Sequence, residues 1–341
     1  MMAYNAIVQA FVKLGGYLQD FCENGNPELQ EQLLRAEQQN SWFAQDNLHF
    51  CLKHWATQLT ADNLNSWLEP YAISQNDNAK NIGVVMAGNI PLVGFHDFIC
   101  ALCAGHKIQA KLSSNDTVLL PYLTTKLIEF EPSLKNQIQF VDGKMEGFDA
   151  VIATGSNNTS RYFEYYFGKK PNIIRKNRNA IAVLTGKETA EELFSLGNDI
   201  FRYFGLGCRN VSKLYVPEDY NFDVFFTAIF DHKDIVNQHK YANNYDYNKT
   251  VYLMSEFKIL DNGFLILKED ESFASPIASL FFERYSDLDA LKSNVTEKQD
   301  EIQCIVSKDF DPNEVPFGQT QLPNLKDYAD GVDTMDFLLQ L

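Results

Sequence analysis

"NIGVVMAGNIPLVGFHDFICALCAGHKIQAKLS", residues 81–113, decides how the rest of the chain is read. "NIGVVMAG" is a continuous apolar run closed by Gly88, the pattern of a strand buried on both faces. "IPLVGFHDFICALCAG" follows as a helix ending in Gly105, and "HKIQAKLS" is a second strand. Two strands joined by a helix read as one parallel crossover unit.

The alternation continues. "NDTVLLPYLTTKLIEFEP" is a helix, "QIQFVDG" and "FDAVIATGS" are strands, and "NNTSRYFEYYFGKK" opens a helix. "NAIAVLTG" is a strand and "ETAEELFSLGNDIFRYFG" a helix. This grammar predicts a mostly parallel sheet covered on both faces, with ligands at the carboxyl ends of its strands. Residues 1–75 read as helices, with apolar residues three and four apart in "PELQEQLLRAEQQN", "QDNLHFCLKHWATQL" and "ADNLNSWLEPYA". Asp62 is the expected cap of the last of these, and Trp42, Trp55 and Trp67 are expected core anchors. Beyond Cys208 come "VSKLYVP", "NFDVFFTAIFDH" and a polar run, "KYANNYDYNKT". "TVYLM", "GFLILKED" and "ASLFFERY" read as strands, "SDLDALKSNVTEKQD" as a helix and "EIQCIVS" as a strand. The fold class is therefore α/β: two α/β domains behind a helical N-terminal segment. Expected boundaries are 1–206, 207–310, and a C-terminal segment, 311–341, that packs back on the first domain.

Composition narrows the function. A net charge of −16 over 341 residues disfavours nucleic acid as a general partner, because phosphate backbones need positive surface. The N-terminus lacks the basic start and small-residue cleavage site of a signal peptide, and reads as a mature helix. The most apolar stretch, 82–105, contains Asn89, Pro91, His96 and Asp97, so no membrane span is expected. The six cysteines are scattered, as expected of reduced thiols in a cytoplasm. Cys100 and Cys103 form a C-x-x-C inside an apolar helical pattern; packing is the expected role, and a redox or metal role the alternative. The histidines show no metal spacing, and no metal is expected.

Three features carry chemistry. "ATGSNNTS" (153–160) joins a strand to a helix and exposes backbone N–H groups at a positive helix end, suited to a phosphate; an ordinary strand–turn–helix explains it too. "GKKPNIIRKNR" (168–178) holds five basic residues and no acidic one, either a solvated loop or a local anion site. Cys208, in "FRYFGLGCRNVSKLYVP", follows a glycine turn. It is a buried small hydrophobe or a presented nucleophile, which needs only a lowered pKa to attack a carbonyl. Asn89, at the turn "AGNIP", has an amide that suits a developing oxyanion. His96 is read as a helix-surface histidine, with a proton donor in a cleft as the alternative. The aromatic-rich stretch 220–250 lines a pocket or fills a small domain.

Taken in order, these pieces resemble the aldehyde dehydrogenase superfamily. Residues 88–113 are similar to its segment beginning Asn-Phe-Pro-Leu and ending Lys-Pro-Ser, and "ATGS" to its Thr-Gly-Ser turn. "GLGCRNVSKLYVP" is similar to its Gly-Gln-x-Cys nucleophile segment. "ESFASPIASLFFERYSDLDAL" (271–291) is similar to its Glu-x-Phe-Gly-Pro segment, with one extra residue before Pro276. Within it, the chain resembles the acyl-CoA reductase family that includes the fatty-acid reductase of bacterial bioluminescence. "NSWFAQDNLHFCLKHWATQLTADNLNSWLEPY" (40–71), the short length and the closing "FGQTQLPNLKDYADGVDTMDFLLQL" carry that closer likeness.

The resemblance implies a Rossmann-like cofactor domain, a catalytic domain and these roles. Cys208 would be the nucleophile and Asn89 the oxyanion donor, with the Cys208 N–H. Lys111, with Ser113 close by, would hold the adenosine ribose. Thr154, Gly155 and Ser156 would sit by the pyrophosphate or nicotinamide, and Glu271 and Phe273 by the nicotinamide ribose. Two departures matter. Hydrolytic members carry a glutamate that activates water, and Ile174 stands in its place here. Many NAD-specific members carry an acidic residue where this chain has Ser114, which would not repel a 2′-phosphate. The expected activity is NADPH-dependent (or NADH-dependent) reduction of an acyl-CoA or other acyl thioester to a fatty or shorter aldehyde. A hydrolytic aldehyde dehydrogenase and a degenerate nucleotide-binding member without activity are the alternatives. A homodimer is left open.

Overall fold

The computed structural model describes residues 2–71, 73 and 78–341. They form two compact units, Met1–Lys176 with Asn324–Leu341, and Asn177–Pro323.

The first unit opens with four helices, α1 (Met2–Asn24), α2 (Pro27–Gln39), α3 (Gln45–Gln58) and α4 (Ala61–Leu68). Along α1, Ile7, Phe11, Leu14, Leu18 and Phe21 recur at three and four residues, and all are buried. Thr60, not Asp62, caps α4: its hydroxyl accepts from the Asn63 N–H at 3.2 Å, while Asp62 lies in the first turn, where its charge suits the helix dipole. Trp67 is fully buried, whereas Trp42 and Trp55 are half-buried.

Next come β1 (Asn81–Val85), α5 (Phe95–Cys103), β2 (Lys107–Lys111), α6 (Leu119–Phe130), β3 (Ile138–Phe140), β4 (Ala150–Thr154), α7 (Asn157–Phe167) and β5 (Asn172–Arg175). All five strands are parallel, in the order β3-β2-β1-β4-β5. The chain steps outward from β1 through β2 to β3, then restarts on the other side at β4. That reversal places a topological switch point between the carboxyl ends of β1 and β4. The crossover from β3 to β4 contains no helix; Met145 and Phe148 of residues 141–149 cover Val151 and Ala153 instead.

The second unit holds β6 (Asn179–Val183), α8 (Ala190–Phe201), β7 (Val211–Pro217), α9 (Phe222–Ala228), α10 (His239–Met254), β8 (Ile259–Asp261), β9 (Ile266–Glu269), β10 (Ser279–Tyr285), α11 (Leu288–Glu297) and β11 (Ile302–Val306). Its sheet runs β11-β6-β7-β10-β9-β8, parallel except for the β8–β9 pair. Alternation along β6 serves two cores: Ala180, Ala182 and Leu184 meet α8 and α9, while Ile181 and Val183 meet α11.

Three expectations change. The first unit ends at 176 rather than 206, because β6 is hydrogen-bonded between β7 and β11 and carries α8 with it. Along the chain Cys208 therefore falls within the second unit rather than at its start. "TVYLM" is the end of α10, not a strand: Tyr241, Tyr245, Asn248 and Tyr252, four and three residues apart, form a buried helical face that overrides the strand preference of Thr250 and Val251. Of the C-terminal segment, residues 311–323 stay with the second unit, where Val315 N–H donates to Ile305 C=O at 2.8 Å. Residues 324–341 pack with the first, where α12 (Thr334–Leu339) meets α5. Among the described residues no helix is long and apolar enough to cross a membrane.

Candidate active site

In the first unit the candidate residues share one edge. The Met86 N–H donates to Lys111 C=O at 2.9 Å, carrying the β1–β2 pairing one step past the strand. The chain then turns away through Gly88–Leu92. A Cβ on Gly88 would come within 2.6 Å of the Ser113 hydroxyl, so the turn passes β2 only as glycine. Asn89 is exposed at the tip, and Leu92 closes the turn in the left-handed region at φ 58°. Asp116 holds the turn from below: its carboxylate accepts the Leu92 N–H at 2.8 Å, and burial pushes its pKa up to about 6. On the other side of β1, Thr154 ends β4. Ser156 caps α7, accepting the Thr159 N–H at 3.3 Å. A Cβ on Gly155 would lie 2.9 Å from the Phe163 ring.

Asn89, Lys111, Ser113, Thr154, Gly155 and Ser156 thus lie at the carboxyl edge of three adjacent strands, β2-β1-β4, astride the switch point. A capped helix start with no acidic residue in its first turn, two close-packed turns and the Lys111 ammonium suit an anionic dinucleotide. Lys111 Nζ donates to Gly143 C=O at 2.9 Å in this state.

Cys208 belongs to the second unit. After α8 the chain reverses through Tyr203, Phe204 and Gly205, all left-handed at φ 53°, 58° and 76°. Two bulky residues in that region cost on the order of 1–2 kcal/mol each, and burial of both rings opposes that cost. Asn210 braces the turn that follows. Its Oδ1 accepts the Gly207 N–H at 2.8 Å, and its Nδ2 faces the carbonyls of Asp199, Ile200 and Arg202 at 3.0, 3.3 and 2.8 Å. One buried amide thereby serves the last carbonyls of α8 and fixes the loop carrying Cys208. The Cys208 thiol is exposed and not in a disulfide. Just downstream on β7, Ser212 Oγ donates to Phe273 C=O at 2.6 Å, and Lys213 Nζ donates to Glu271 C=O at 2.7 Å. The 271–273 segment is thus tied to the strand that follows Cys208. Glu271 is exposed; the Phe273 ring is buried among Ile181, Val183, Tyr215 and Phe310.

The Asn210 bonds lead to a test. Asn210→Ala leaves buried carbonyls unpaired and is expected to cost about 2–4 kcal/mol in urea unfolding. Asn210→Asp, which turns a carboxylate oxygen towards carbonyls, is expected to cost more. Unchanged stability in both variants contradicts the bracing role.

Other candidates resolve differently. Cys100 and Cys103 are fully buried, and burial pushes the Cys103 thiol up to about 12 and Cys100 well above its ordinary value. Such thiols stay protonated, as packing residues. His96 is neither on the helix surface nor a cleft acid: its Nε2 donates to Leu325 C=O at 3.0 Å between the rings of Trp67 and Tyr328, and burial lowers its pKa. The basic run 168–178 is not one patch. Arg175 is buried in β5, paired with Asp97; Lys170 donates to Phe148 C=O; Lys176 pairs with Glu164 at 3.0 Å; Arg178 donates to Ile302 C=O at 3.5 Å. No group of three or more His, Cys, Asp or Glu among the described residues is placed to hold a metal ion. Asp116, Asp199 and Asn210 escaped notice in the sequence, where each is one polar residue among many; only their burial marks them.

Asp199 also sets a pH dependence. Its carboxylate accepts from Gly318 N–H, Thr320 N–H and Thr320 Oγ1 at 2.6, 2.9 and 2.9 Å, yet burial still raises its pKa to about 6. The folded state therefore holds the proton more tightly than the unfolded chain, whose aspartates titrate near 3.8. The Asp199 contribution to stability is greatest below about pH 4 and declines as pH rises to about 6. Asp199→Asn is expected to remove that slope; a wild-type minus variant difference independent of pH from 4 to 7 goes against it.

No family model matches the sequence, and no curated protein matches it. Solved structures do. An NAD-dependent aldehyde dehydrogenase from Sinorhizobium meliloti is 12% identical with a TM-score of 0.64, over 94% of this chain and 72% of that one. Aldehyde dehydrogenase 21 from Physcomitrella patens, in complex with the reaction product succinate, is 15% identical with a TM-score of 0.63, over 91% and 74%. The NAD+ complex of an aldehyde dehydrogenase from Bacillus cereus is 12% identical with a TM-score of 0.61, over 90% and 72%. At these identities the likeness is one of fold: the chain has the aldehyde dehydrogenase-like α/β architecture.

Proposed function

We propose, from that fold and the exposed Cys208 on its Asn210-braced turn, that the protein reduces an acyl-CoA or related acyl thioester to an aldehyde. The braced thiol carries the reading, because a nucleophile must be both accessible and held in place. In this reading the Cys208 thiolate attacks the thioester carbonyl, the carbon–sulfur bond to CoA breaks, and CoA thiolate leaves an acyl-enzyme. Asn89 and the Cys208 N–H stabilise the oxyanion as it forms. Lys111, Ser113, Thr154, Gly155, Ser156, Glu271 and Phe273 would hold a nicotinamide dinucleotide. When bound in reduced form, the dinucleotide supplies hydride to the acyl carbon. Collapse of the resulting thiohemiacetal at Cys208 frees the aldehyde and regenerates the thiolate.

Ile174 in β5 supplies no carboxylate to activate water, which favours a thiol over water as the acyl partner. Exposed Ser114 sets no negative charge against a 2′-phosphate, which favours NADPH. The test is product identity across a panel of acyl-CoA chain lengths with NADPH or NADH. Aldehyde and free CoA, formed one for one with oxidised cofactor, are expected. Carboxylate formed from aldehyde and NAD+ with no CoA added would replace this reading with hydrolytic aldehyde oxidation.

A further inference from the structure

The turn that presents Asn89 is short, strained at Leu92 and leaves the sheet beside another loop. Such a turn keeps one shape only if its backbone groups are held. Asn40 Nδ2 lies 3.5 Å from Gly88 C=O, and Cys51 Sγ lies 3.7 Å from Pro91 C=O. These contacts are long and hold carbonyls alone. A short side-chain bond goes to an N–H: Leu92 donates to Asp116 Oδ2 at 2.8 Å. Asp116 is itself anchored, its N–H donating to Ser113 C=O at 3.0 Å in the loop that Gly88 packs against. Its carboxylate is buried, and Oδ1 has no hydrogen-bond partner among the described residues. A buried carboxylate with one backbone donor is an expensive way to stabilise a fold. Its geometric effect is specific: it locks the Gly88–Leu92 turn against the β2–α6 loop.

We infer that Asp116 is a positioning residue, holding the Leu92 N–H so that the turn presents the Asn89 amide in one place. The inference rests on the oxyanion role proposed for Asn89. A misplacement of about 1 Å at a reacting centre costs up to about 10²-fold in rate. Losing the clamp therefore forfeits much of what Asn89 contributes, while cofactor binding at neighbouring strands changes little.

The experiment is a double-mutant cycle with a structural readout. Asp116→Ala is expected to lower kcat for acyl-CoA reduction about 30-fold, with KM for NADPH within about 2-fold. Asp116→Asn, which keeps an oxygen facing Leu92, is expected to recover to within about 3-fold of wild type. In an Asn89→Ala background, Asp116→Ala is expected to cost less than about 2-fold more, because the group it positions is gone. Hydrogen exchange of the peptide spanning residues 88–94 is expected to accelerate at least about 10-fold in Asp116→Ala and to stay near wild type in Asp116→Asn. If Asp116→Ala does not fold, Asp116→Glu, which displaces the oxygen by one methylene, is read in the same way. Equal losses in both backgrounds, or unchanged exchange at 88–94, overturn the inference. Full activity in Cys208→Ser defeats the proposed function instead, and the exchange measurement still decides whether Asp116 holds the turn.

Discussion

Cys208→Ser is expected to leave acyl-CoA-dependent NADPH oxidation at least about 10³-fold below wild type, a loss of about 4 kcal/mol of transition-state stabilisation. A serine hydroxyl at the same exposed turn ionises far less readily than a thiol and leaves a reduced acyl adduct less easily. The substitution should not disturb the fold, because the side chain is exposed and the turn is built by Asn210 and the Tyr203–Gly205 reversal. The variant is therefore expected to melt with wild type. Wild-type protein incubated with labelled acyl-CoA and no cofactor is expected to retain one acyl group as a thioester, and the variant none. More than about a tenth of wild-type turnover in a folded variant would remove Cys208 from the mechanism.

The second large effect concerns stability. Arg175→Met is expected to destabilise the first unit by about 3–5 kcal/mol, because it leaves Asp97 as a buried charge with no compensating cation. Arg175 also donates to Thr334 Oγ1 at 3.0 Å, so the same change loosens α12 on α5. Limited proteolysis should cut residues 324–341 sooner in the variant. Asp97→Leu combined with Arg175→Met is expected to regain most of the loss, since a buried ion pair exchanged for apolar groups of similar size is often close to neutral. A single variant within about 1 kcal/mol of wild type would mean that the pair is solvated in solution.

The strands and most helices were legible because their signals are local. Runs such as "NIGVVMAG" and "FDAVIATGS" have apolar centres, "IGVVMA" and "AVIA", as buried parallel strands require, and each run stops at a glycine turn. The turns at Asn89 and at Gly155 and Ser156 fall where those runs end, so their place at the carboxyl edge follows from the same pattern. "TVYLM" misled because Thr, Val and Tyr suit a strand locally, while the face made by Tyr241, Tyr245 and Tyr252 begins in a segment that looks polar. Arg175 was hidden by company: four basic neighbours made it look solvated, and its partner Asp97 is 78 residues away in the chain.

By itself the amino-acid sequence determined the alternation of strand and helix, the parallel α/β class and the cysteine at 208, since each rests on residues within one or two turns of each other. Only the tertiary structure decided where the units divide, which acids are buried and what braces the thiol. Those depend on partners far along the chain: β6 joins the second unit through β11, and Asp199 meets the 318–320 segment. Burial, which lifts Asp116 and Asp199 to about 6, arises only when separate segments close over a group and exclude water from it.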